Sequence, residues 1–412
     1  MIGTFDRLRD LVNPITERFL REEHTLFLVG GVVRDVLINQ NIESPDLDLT
    51  TNATPDQIRA LVEPVADAVW LQGERFGTIG LRVGETRMEI TTHRSESYIS
   101  SSRKPSVTFS LNLEDDLSRR DFTVNAMAVE VDSGIFFDPF NGRSDLENKI
   151  LRTPLAPNAS FNDDPLRMLR AARFSAGYDL QPVQEIVDTA KDLAERILIV
   201  SAERIREEFL KLLSLENPTK GFEFLETVDL LPKIFSFESN LEHKDFDKIF
   251  SLLPPDDPVT RFSVFFKGLS KKEVKESLKR LKMSREEKRR IETIVDFLNL
   301  LSNGPKSEKW TNEELRRLID LNQLSVETSI NLIQASNSNV KEFLSSLAIL
   351  RSTEDLISFE PQLTAQELMD LLHIEPGPLV GEILSWLKET HLRYGAISVD
   401  EEKKMVLKHW KK

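Results

Sequence analysis

The chain has 412 residues, enough for about two to four domains, and its 54 Lys and Arg against 68 Asp and Glu give a formal net charge of −14. That acidity argues against a generic nucleic-acid coat or an anionic-membrane binder, because both need a basic surface. The absence of cysteine excludes disulfide scaffolds, thiolate metal sites and thiol nucleophiles. With no signal-peptide pattern at its start and no apolar run of about 18 residues, we expect a cytoplasmic protein without membrane contact.

The first 150 residues mix short β-rich runs with turn signals, whereas the pattern becomes helical from about residue 163. Thr54 followed by Pro55 predicts a helix start, and apolar residues three and four positions apart predict later helices. This change in sequence pattern indicates an α+β head followed by an all-helical remainder. Runs bounded by Gly, Pro, Asn or Asp predict strands, at Leu26–Val29, Asp46–Thr51, Thr78–Val83, Arg87–Thr92 and Thr123–Val131.

A glycine turn follows the first predicted strand and leads into a helix. Gly30 and Gly31 let the backbone approach a ligand closely, and the helix start offers unpaired N–H groups to a phosphate. Arg34, one turn into that helix, adds a planar cationic fork. A glycine pair after a strand is more often only a turn, so this pattern needs support from its neighbours.

Two aspartates near the next predicted strand provide that support. Alternate side chains of a strand project from one face, so Asp46 and Asp48 are expected to project together. Paired carboxylates repel each other unless a cation lies between them, and their oxygens suit Mg²⁺. Two such ions, about 4 Å apart, activate a hydroxyl and stabilise leaving pyrophosphate. The alternative to metal binding is that the two aspartates only form a polar strand end at the surface. Glu89 is either a third carboxylate of the site or a paired structural acid.

Further blocks follow in a characteristic order: Arg119 to Ala126, the Asp138, Gly142 and Asp145 set, Asp163 to Phe174, and Ser201 to Ile205. With the glycine turn and the aspartates, they span about residues 26–215. This combination resembles the nucleotidyltransferase superfamily that includes DNA polymerase beta. It is most similar to the class II tRNA nucleotidyltransferases, the CCA-adding enzymes, and their bacterial poly(A) polymerase relatives.

The resemblance implies a nucleotidyltransferase head with a small β-sheet and flanking helices, then an all-helical neck, body and tail. The expected boundaries are a head at residues 1–150, a neck with the nucleotide-selecting motif at 151–235, a body at 236–302 and an RNA-binding tail at 303–412. Many relatives carry a phosphohydrolase with paired His-Asp ligands in the body. Here Leu241 to Asp245 starts like one, but no His-Asp pair follows, so we expect a degenerate region without a metal site.

The resemblance also implies roles for individual residues. Asp46 and Asp48 are expected to hold Mg²⁺ in a two-metal site, with Glu89 in the catalytic set. Arg120 and Asp121 belong to the block expected to bind ribose and phosphate. The residues expected to bind the nucleotide are Gly30, Gly31, Arg34, Arg120, Asp121, Asp164, Arg167, Arg170 and Arg173.

Asp164 and Arg167 are expected to read the base. Asp164 accepts hydrogen bonds and Arg167 donates them, which matches the amine donor and ring-nitrogen acceptor of cytosine and adenine. Guanine and uracil place a carbonyl where that amine would be, and such unmatched polar groups produce large selectivity. Spacing of three predicts that positions 164, 167, 170 and 173 form one helical stripe. The competing interpretation is that Asp164, before Pro165, only caps the helix; Asp163 is the alternative cap.

The resemblance implies addition of C, C and A to tRNA 3′ ends from CTP and ATP, with the acceptor and T arms of tRNA held by the helical body and tail. A CC-adding or A-adding partial enzyme and a poly(A) polymerase share the same head, and an inactive RNA-binding protein is the rival from another class. A Ser-rich basic loop at residues 94–105 favours full CCA addition. Between Lys267 and Arg290, eleven Lys or Arg face four Glu, forming either a solvated helix surface or a polyanion-binding surface.

Overall fold

The computed structural model forms two compact units. Residues 1–208 and 220–234 form the first unit, and residues 209–219 and 235–412 form the second. The predicted head, neck, body and tail boundaries stay a prediction. In the described part of the chain, no helix has the length and apolar character needed to cross a bilayer. The structure describes residues 2–38, 47–97, 106–235, 243–302, 309–322, 326–336, 341–356 and 358–410.

Strands are confined to the N-terminal part and helices fill the remainder, which confirms the predicted α+β head and helical body. The strands are β1 (Leu26–Val29), β2 (Leu47–Thr51), β3 (Ala68–Trp70), β4 (Thr78–Val83), β5 (Thr86–Thr92), β6 (Arg94–Ser97), β7 (Ser106–Phe109), β8 (Ala128–Glu130), β9 (Phe136–Phe137), β10 (Ile150–Leu151) and β11 (Gln181–Pro182).

The helices are longest in the second unit and at the N-terminus. In chain order they are α1 (Ile2–Arg21), α2 (Gly31–Leu37), α3 (Pro55–Val62), α4 (Leu113–Ser118), α5 (Gly142–Glu147), α6 (Pro157–Asp163), α7 (Leu166–Gly177), α8 (Gln184–Asp192), α9 (Ala202–Leu213), α10 (Thr219–Thr227), α11 (Leu231–Phe235), α12 (His243–Leu252), α13 (Pro258–Ser263), α14 (Lys271–Arg280), α15 (Arg285–Ser302), α16 (Asn312–Asn322), α17 (Val326–Ala335), α18 (Lys341–Thr353), α19 (Ala365–Leu372), α20 (Pro378–Tyr394) and α21 (Val399–Trp410).

A seven-stranded sheet in the order β3-β4-β5-β2-β1-β8-β9 organises the head. Its strands pair antiparallel except β2 and β5, which are parallel. Helices α1, α2 and α3 cover one face, and their apolar residues pack with the inward residues of the sheet in one buried cluster. Alternation along β2 buries Leu47 and Leu49 in that cluster and leaves Asp48 exposed on the opposite face. One face of the sheet therefore carries the main core. The opposite face is covered at β1 and β8, where Phe27, Val29 and Ala128 pack with Leu117 of α4, and is exposed at Asp48.

The predicted strand at Thr123–Val131 is wrong in its first half. Residues Thr123–Asn125 form a 3-10 turn, and β8 begins at Ala128. The Thr123 amide donates to the carbonyl of Arg152, 2.8 Å away, instead of to a sheet neighbour. Gly142 packs so closely that an added Cβ would lie 2.1 Å from the Thr123 carbonyl oxygen. The tertiary contact at Gly142 therefore overrides the β-propensity of the local sequence.

Candidate active site

The carboxylates of the open face lie on adjacent parallel strands. Asp48 on β2 stands opposite Glu89 on β5 in the strand register, and both side chains are exposed. Gly30 directly follows β1, the other neighbour of β2, and a Cβ built on Gly30 would lie 3.8 Å from Asp48 Oδ2. The structure therefore brings Gly30, Asp48 and Glu89 together as predicted. Asp46 lies outside the described residues.

Gly30 meets two constraints that demand glycine. Its φ of 75° lies in the left-handed region, where a side chain is strained. The guanidinium of Arg120 also lies over the turn, with Nη1 only 2.8 Å from the position a Cβ would take. Arg120 is therefore held directly above the glycine turn and beside Asp48, where a phosphate bound by the α2 amides would need a cation.

Asp116, which the sequence interpretation missed, holds that cation in place. Its fully buried carboxylate accepts from Arg120 Nη2 at 3.2 Å and from Arg119 at 2.6 and 3.0 Å. Burial alone raises the pKa of Asp116, but the charges of Arg119 and Arg120 outweigh burial and lower it. An acid on α4, three and four residues before two arginines, was the available sequence signal.

Arg34 points into the protein. It is 5% exposed, and its guanidinium donates to Asn125 Oδ1 at 2.5 Å, to Asp35 and to the Tyr178 hydroxyl. The guanidinium carbon also lies 4.0 Å from the centre of the Tyr178 ring, a cation–π contact. Arg34 therefore links the glycine turn to the 119–126 block and to the end of α7.

Asp121 and Arg170 form an ion pair that joins the block at residues 119–126 to helix α7. Arg170 donates from Nε and Nη2 to Asp121 Oδ2 at 2.8 and 2.6 Å, and Asn125 Nδ2 donates to Oδ1 at 2.9 Å. Burial raises the pKa of Asp121, yet the Arg170 charge and these hydrogen bonds outweigh it and lower the pKa to about 2. Asp121 is therefore ionised at neutral pH, and Arg170 is bound to it.

This pair predicts a loss of stability in acid. Because the folded pKa of Asp121 is depressed, its contribution is present above pH about 4 and is lost as pH falls through about 2. A shift of this size corresponds to about 2 kcal/mol. We expect the free energy of unfolding of the first unit to depend less on pH, between pH about 5 and about 2, in Asp121→Asn than in the unsubstituted chain.

Urea unfolding followed by Trp70 fluorescence tests this, in chains whose Trp310, Trp386 and Trp410 are replaced by Phe. Trp70 then reports on the first unit alone, because the other three tryptophans lie in the second. Equal pH dependence in the two chains would contradict the ion pair.

Glu208, also missed from sequence, joins two arginines of α7. Its carboxylate is 3% exposed, accepts a short hydrogen bond from Arg173 Nε and lies 3.7 Å from Arg170 Nη1. Arg173 also stacks 4.8 Å from the Phe174 ring centre. Both arginines, which are expected to bind the nucleotide, thus have carboxylate partners in this structure. Local spacing gave no signal for Glu208, because its partner Arg173 lies 35 positions away on another helix.

Asp164 lies outside the helix predicted to carry it. Helix α7 begins at Leu166, and Asp164 has extended φ and ψ of −136° and 99°. The stripe therefore contains Arg167, Arg170 and Arg173, while Asp164 stands at its N-terminal end. Asp164 Oδ1 accepts from the Leu166 amide at 3.2 Å, a capping contact at the start of α7.

The rest of the Asp164 carboxylate is held by a residue of α9. Arg204 Nη2 donates to Oδ2 at 2.7 Å and Nη1 to Oδ1 at 3.3 Å. Arg167 is held separately: it donates to Ser160 Oγ at 2.8 Å and to the Arg119 carbonyl, and lies 3.6 Å from Asp163. Asp164 and Arg167 are thus fixed by different partners at one end of α7, and their base-reading role stays a prediction.

Three family models match the chain. The model of the poly A polymerase head domain matches residues 26–152, and the model of the RNA- and SrmB-binding site of polymerase A matches residues 180–239. The model of tRNA nucleotidyltransferase domain 2 matches residues 259–408. The matched range of the first model contains Gly30, Asp48, Glu89, Arg120 and Asp121.

The chain is also similar to whole proteins. It is 30% identical to the CCA-adding enzyme of Staphylococcus saprophyticus, with 98% of each chain covered, and 30% identical to that of Pediococcus pentosaceus, with 88% of each covered. Among solved structures, the CCA-adding enzyme of Bacillus stearothermophilus in complex with CTP shares 22% identity and a TM-score of 0.71, covering 98% of this chain and 97% of that one.

The Thermotoga maritima CCA-adding enzyme complexed with tRNA is 21% identical, with a TM-score of 0.67 over 97% of this chain and 94% of that one. These structural matches confirm the fold from end to end, and the full-length matches at 30% identity identify the family. The chain therefore belongs to the family of CCA-adding enzymes.

Proposed function

We propose that this chain adds C, C and A to the 3′ end of tRNA, using CTP and ATP and releasing pyrophosphate, in the cytoplasm. The observation that carries the proposal is the placement of Asp48 and Glu89 beside the Gly30 turn and Arg120, in a chain that matches CCA-adding enzymes over its whole length. In this arrangement, carboxylates that suit a metal lie next to backbone amides and a guanidinium that suit a phosphate.

The donor set fits a divalent metal. Asp48 and Glu89 are hard oxygen donors in adjacent strand positions, and strand alternation predicts that Asp46 shares their side. We propose Mg²⁺, in a two-metal site, as the ion that Asp46 and Asp48 hold. When bound, the metal supplies Lewis acidity for the attacking hydroxyl and the leaving pyrophosphate. Arg120 and the amides after Gly30 bind and orient the phosphates.

Base choice is proposed to lie with Asp164 and Arg167. An acceptor and a donor at the same end of α7 match the amine and ring nitrogen of cytosine and adenine. Arg204 fixes the plane of the Asp164 carboxylate, and Ser160 fixes Arg167. Because both readers are already oriented, little side-chain entropy is lost when a base binds.

Glu208 is expected to support this site through Arg170 and Arg173. Replacing Glu208 with Gln leaves two partly buried guanidiniums with less counter-charge, and breaking such a pair costs about 3 kcal/mol. We expect kcat/KM for CTP to fall about thirtyfold and the melting temperature to fall. The matched control is Glu207→Gln, because Glu207 is the adjacent residue with a 61% exposed side chain. Equal effects of the two substitutions, in steady-state kinetics and thermal melts, would contradict this role.

Incubation of the chain with a tRNA that lacks its 3′ end, Mg²⁺, and CTP and ATP separately or together tests the function. We expect two additions with CTP alone and three with both nucleotides. Absence of addition from every mixture would refute enzymatic activity. Long A tails from ATP alone would identify a poly(A) polymerase, and termination after two C residues, or addition of A alone, would identify a partial enzyme.

A further inference from the structure

The structure sorts the basic residues between Lys267 and Arg290 into two groups. One group has partners within the protein: Lys267 donates to the Ser336 carbonyl, Lys271 lies 2.7 Å from Asp296, and Arg290 binds Asp257. These charges are neutralised or satisfied locally. They do not need an external ligand.

The second group gathers at the turn between α14 and α15. Lys271 pairs with Asp296 near the far end of the two helices, and Lys275 lines a small cavity with Glu292 one turn closer. One further helical turn towards the connection leads from Lys275 to Lys279 on α14 and from Glu292 to Lys288 on α15. Acids thus face lysines away from the turn, whereas helix spacing predicts that Lys279 and Lys288 lie opposite each other near it. Within the ranges that the structure describes, Lys279, Arg285 and Lys288 make no ion pair.

Helix electrostatics explains only one of these three cations. Lys279 lies in the last turn of α14, where a positive charge is favourable. Arg285 and Lys288 lie in the first turn of α15, where the helix dipole disfavours positive charge. The start of α15 is already capped, because the Ser284 amide donates to Glu287 Oε2 at 2.7 Å. The same turn carries Glu286 and Glu287, the charges that a helix N-terminus favours, and in the described part of the chain neither Arg285 nor Lys288 is ion-paired to them. The two cations are therefore available to a ligand.

We propose that Lys279, Arg285 and Lys288, which we call the turn cluster, bind the phosphate backbone of the RNA substrate. Lys279 and Arg285 are exposed and Lys288 is half-buried. Cations spread around the turn between two helices suit several phosphates along a strand better than one small anion. A chain of net charge −14 needs such a local basic surface to approach RNA. This inference rests on the proposed tRNA substrate and assigns it a contact.

The test compares two double variants of the same charge change. Lys279→Gln with Lys288→Gln removes two turn-cluster cations, and Lys271→Gln with Lys272→Gln removes two from the acid-paired end of the same helix pair. Affinity for a tRNA transcript without its 3′ CCA is measured from about 50 to about 200 mM salt. For the turn-cluster variant only, we expect tRNA binding to be about tenfold weaker at about 100 mM salt. The slope of log affinity against log salt concentration should be smaller in magnitude by about one to two.

Binding is measured without nucleotide, so a failure of catalysis leaves this result readable. In addition assays the turn-cluster variant should raise KM for tRNA without changing kcat or KM for CTP. Identical affinity and salt slope in the two double variants would overturn the proposal. The single variant Lys288→Gln is expected to stay folded, because removing a cation from a helix N-terminus does not weaken the helix. Unchanged tRNA affinity in this variant would also count against the proposal.

Discussion

Replacing Asp48 with Asn is expected to lower the rate of nucleotide addition about a thousandfold at saturating substrates, equivalent to about 4 kcal/mol of transition-state stabilisation. The substitution keeps the size of the side chain but removes the charge that a metal requires. Asp48 is exposed on the open face, outside the buried cluster of its neighbours Leu47 and Leu49. We therefore expect folding and tRNA affinity to change little.

The control for this substitution is Asp132→Asn, an exposed aspartate in the turn between β8 and β9, which should retain full activity. Quench-flow addition assays give the rate, Mn²⁺ titration followed by paramagnetic resonance gives metal affinity, and filter binding gives tRNA affinity. Metal affinity should fall with Asp48→Asn and not with Asp132→Asn.

We expect Asp46→Ala to abolish addition with tRNA binding intact. An active Asp48→Asn variant would refute the metal assignment.

The second large effect concerns base choice. Asp164→Asn should reduce kcat/KM for CTP about a hundredfold and allow UTP and GTP to be used at comparable rates. Asparagine is as good a helix cap as aspartate, so the cap at the Leu166 amide is retained. It also offers an amide donor, which a uracil or guanine carbonyl accepts. The selectivity measured with the four nucleotides in competition therefore separates base reading from capping.

Asp164→Ser serves as the matched variant, since serine also caps helices well but does not reach a base as a carboxylate does. It should lose CTP use without gaining UTP use. If both variants keep wild-type selectivity and only their melting temperatures change, Asp164 acts as a cap alone. Arg204→Gln should behave as a milder form of the same defect, because Arg204 only orients the carboxylate.

Local pattern was sufficient for the residues whose chemistry depends on near neighbours. Strand alternation predicted that Asp46 and Asp48 project from one face of the strand, and the structure exposes Asp48 while burying its neighbours Leu47 and Leu49. The glycine turn before α2 and the helix start at Thr54 and Pro55 are likewise local. Such features follow from backbone geometry and capping, which act over a few residues.

Partners from distant parts of the chain were not predictable in this way. Arg204 reaches Asp164 across 40 positions, and Arg170 reaches Asp121 across 49. Helix α7 carries no acid that could pair with Arg170, and α9 offers Arg204 the nearby Glu207 and Glu208, so spacing within a helix identifies neither partner. For Asp121 the tertiary structure decides, because burial makes an unpaired carboxylate costly and favours the paired arrangement.

The contrast is clearest in the charges with which the chain was first described. A net charge of −14 follows from composition, and the spaced carboxylates, the family blocks and the two patterns of head and helical body follow from the order of the residues. Which charges remain available to a ligand depends on the tertiary structure, because folding neutralises Lys271 against Asp296 and, in the described part of the chain, leaves Lys279 and Lys288 without an ion pair. An ion pair is a property of two positions in space, and composition counts charges without placing them.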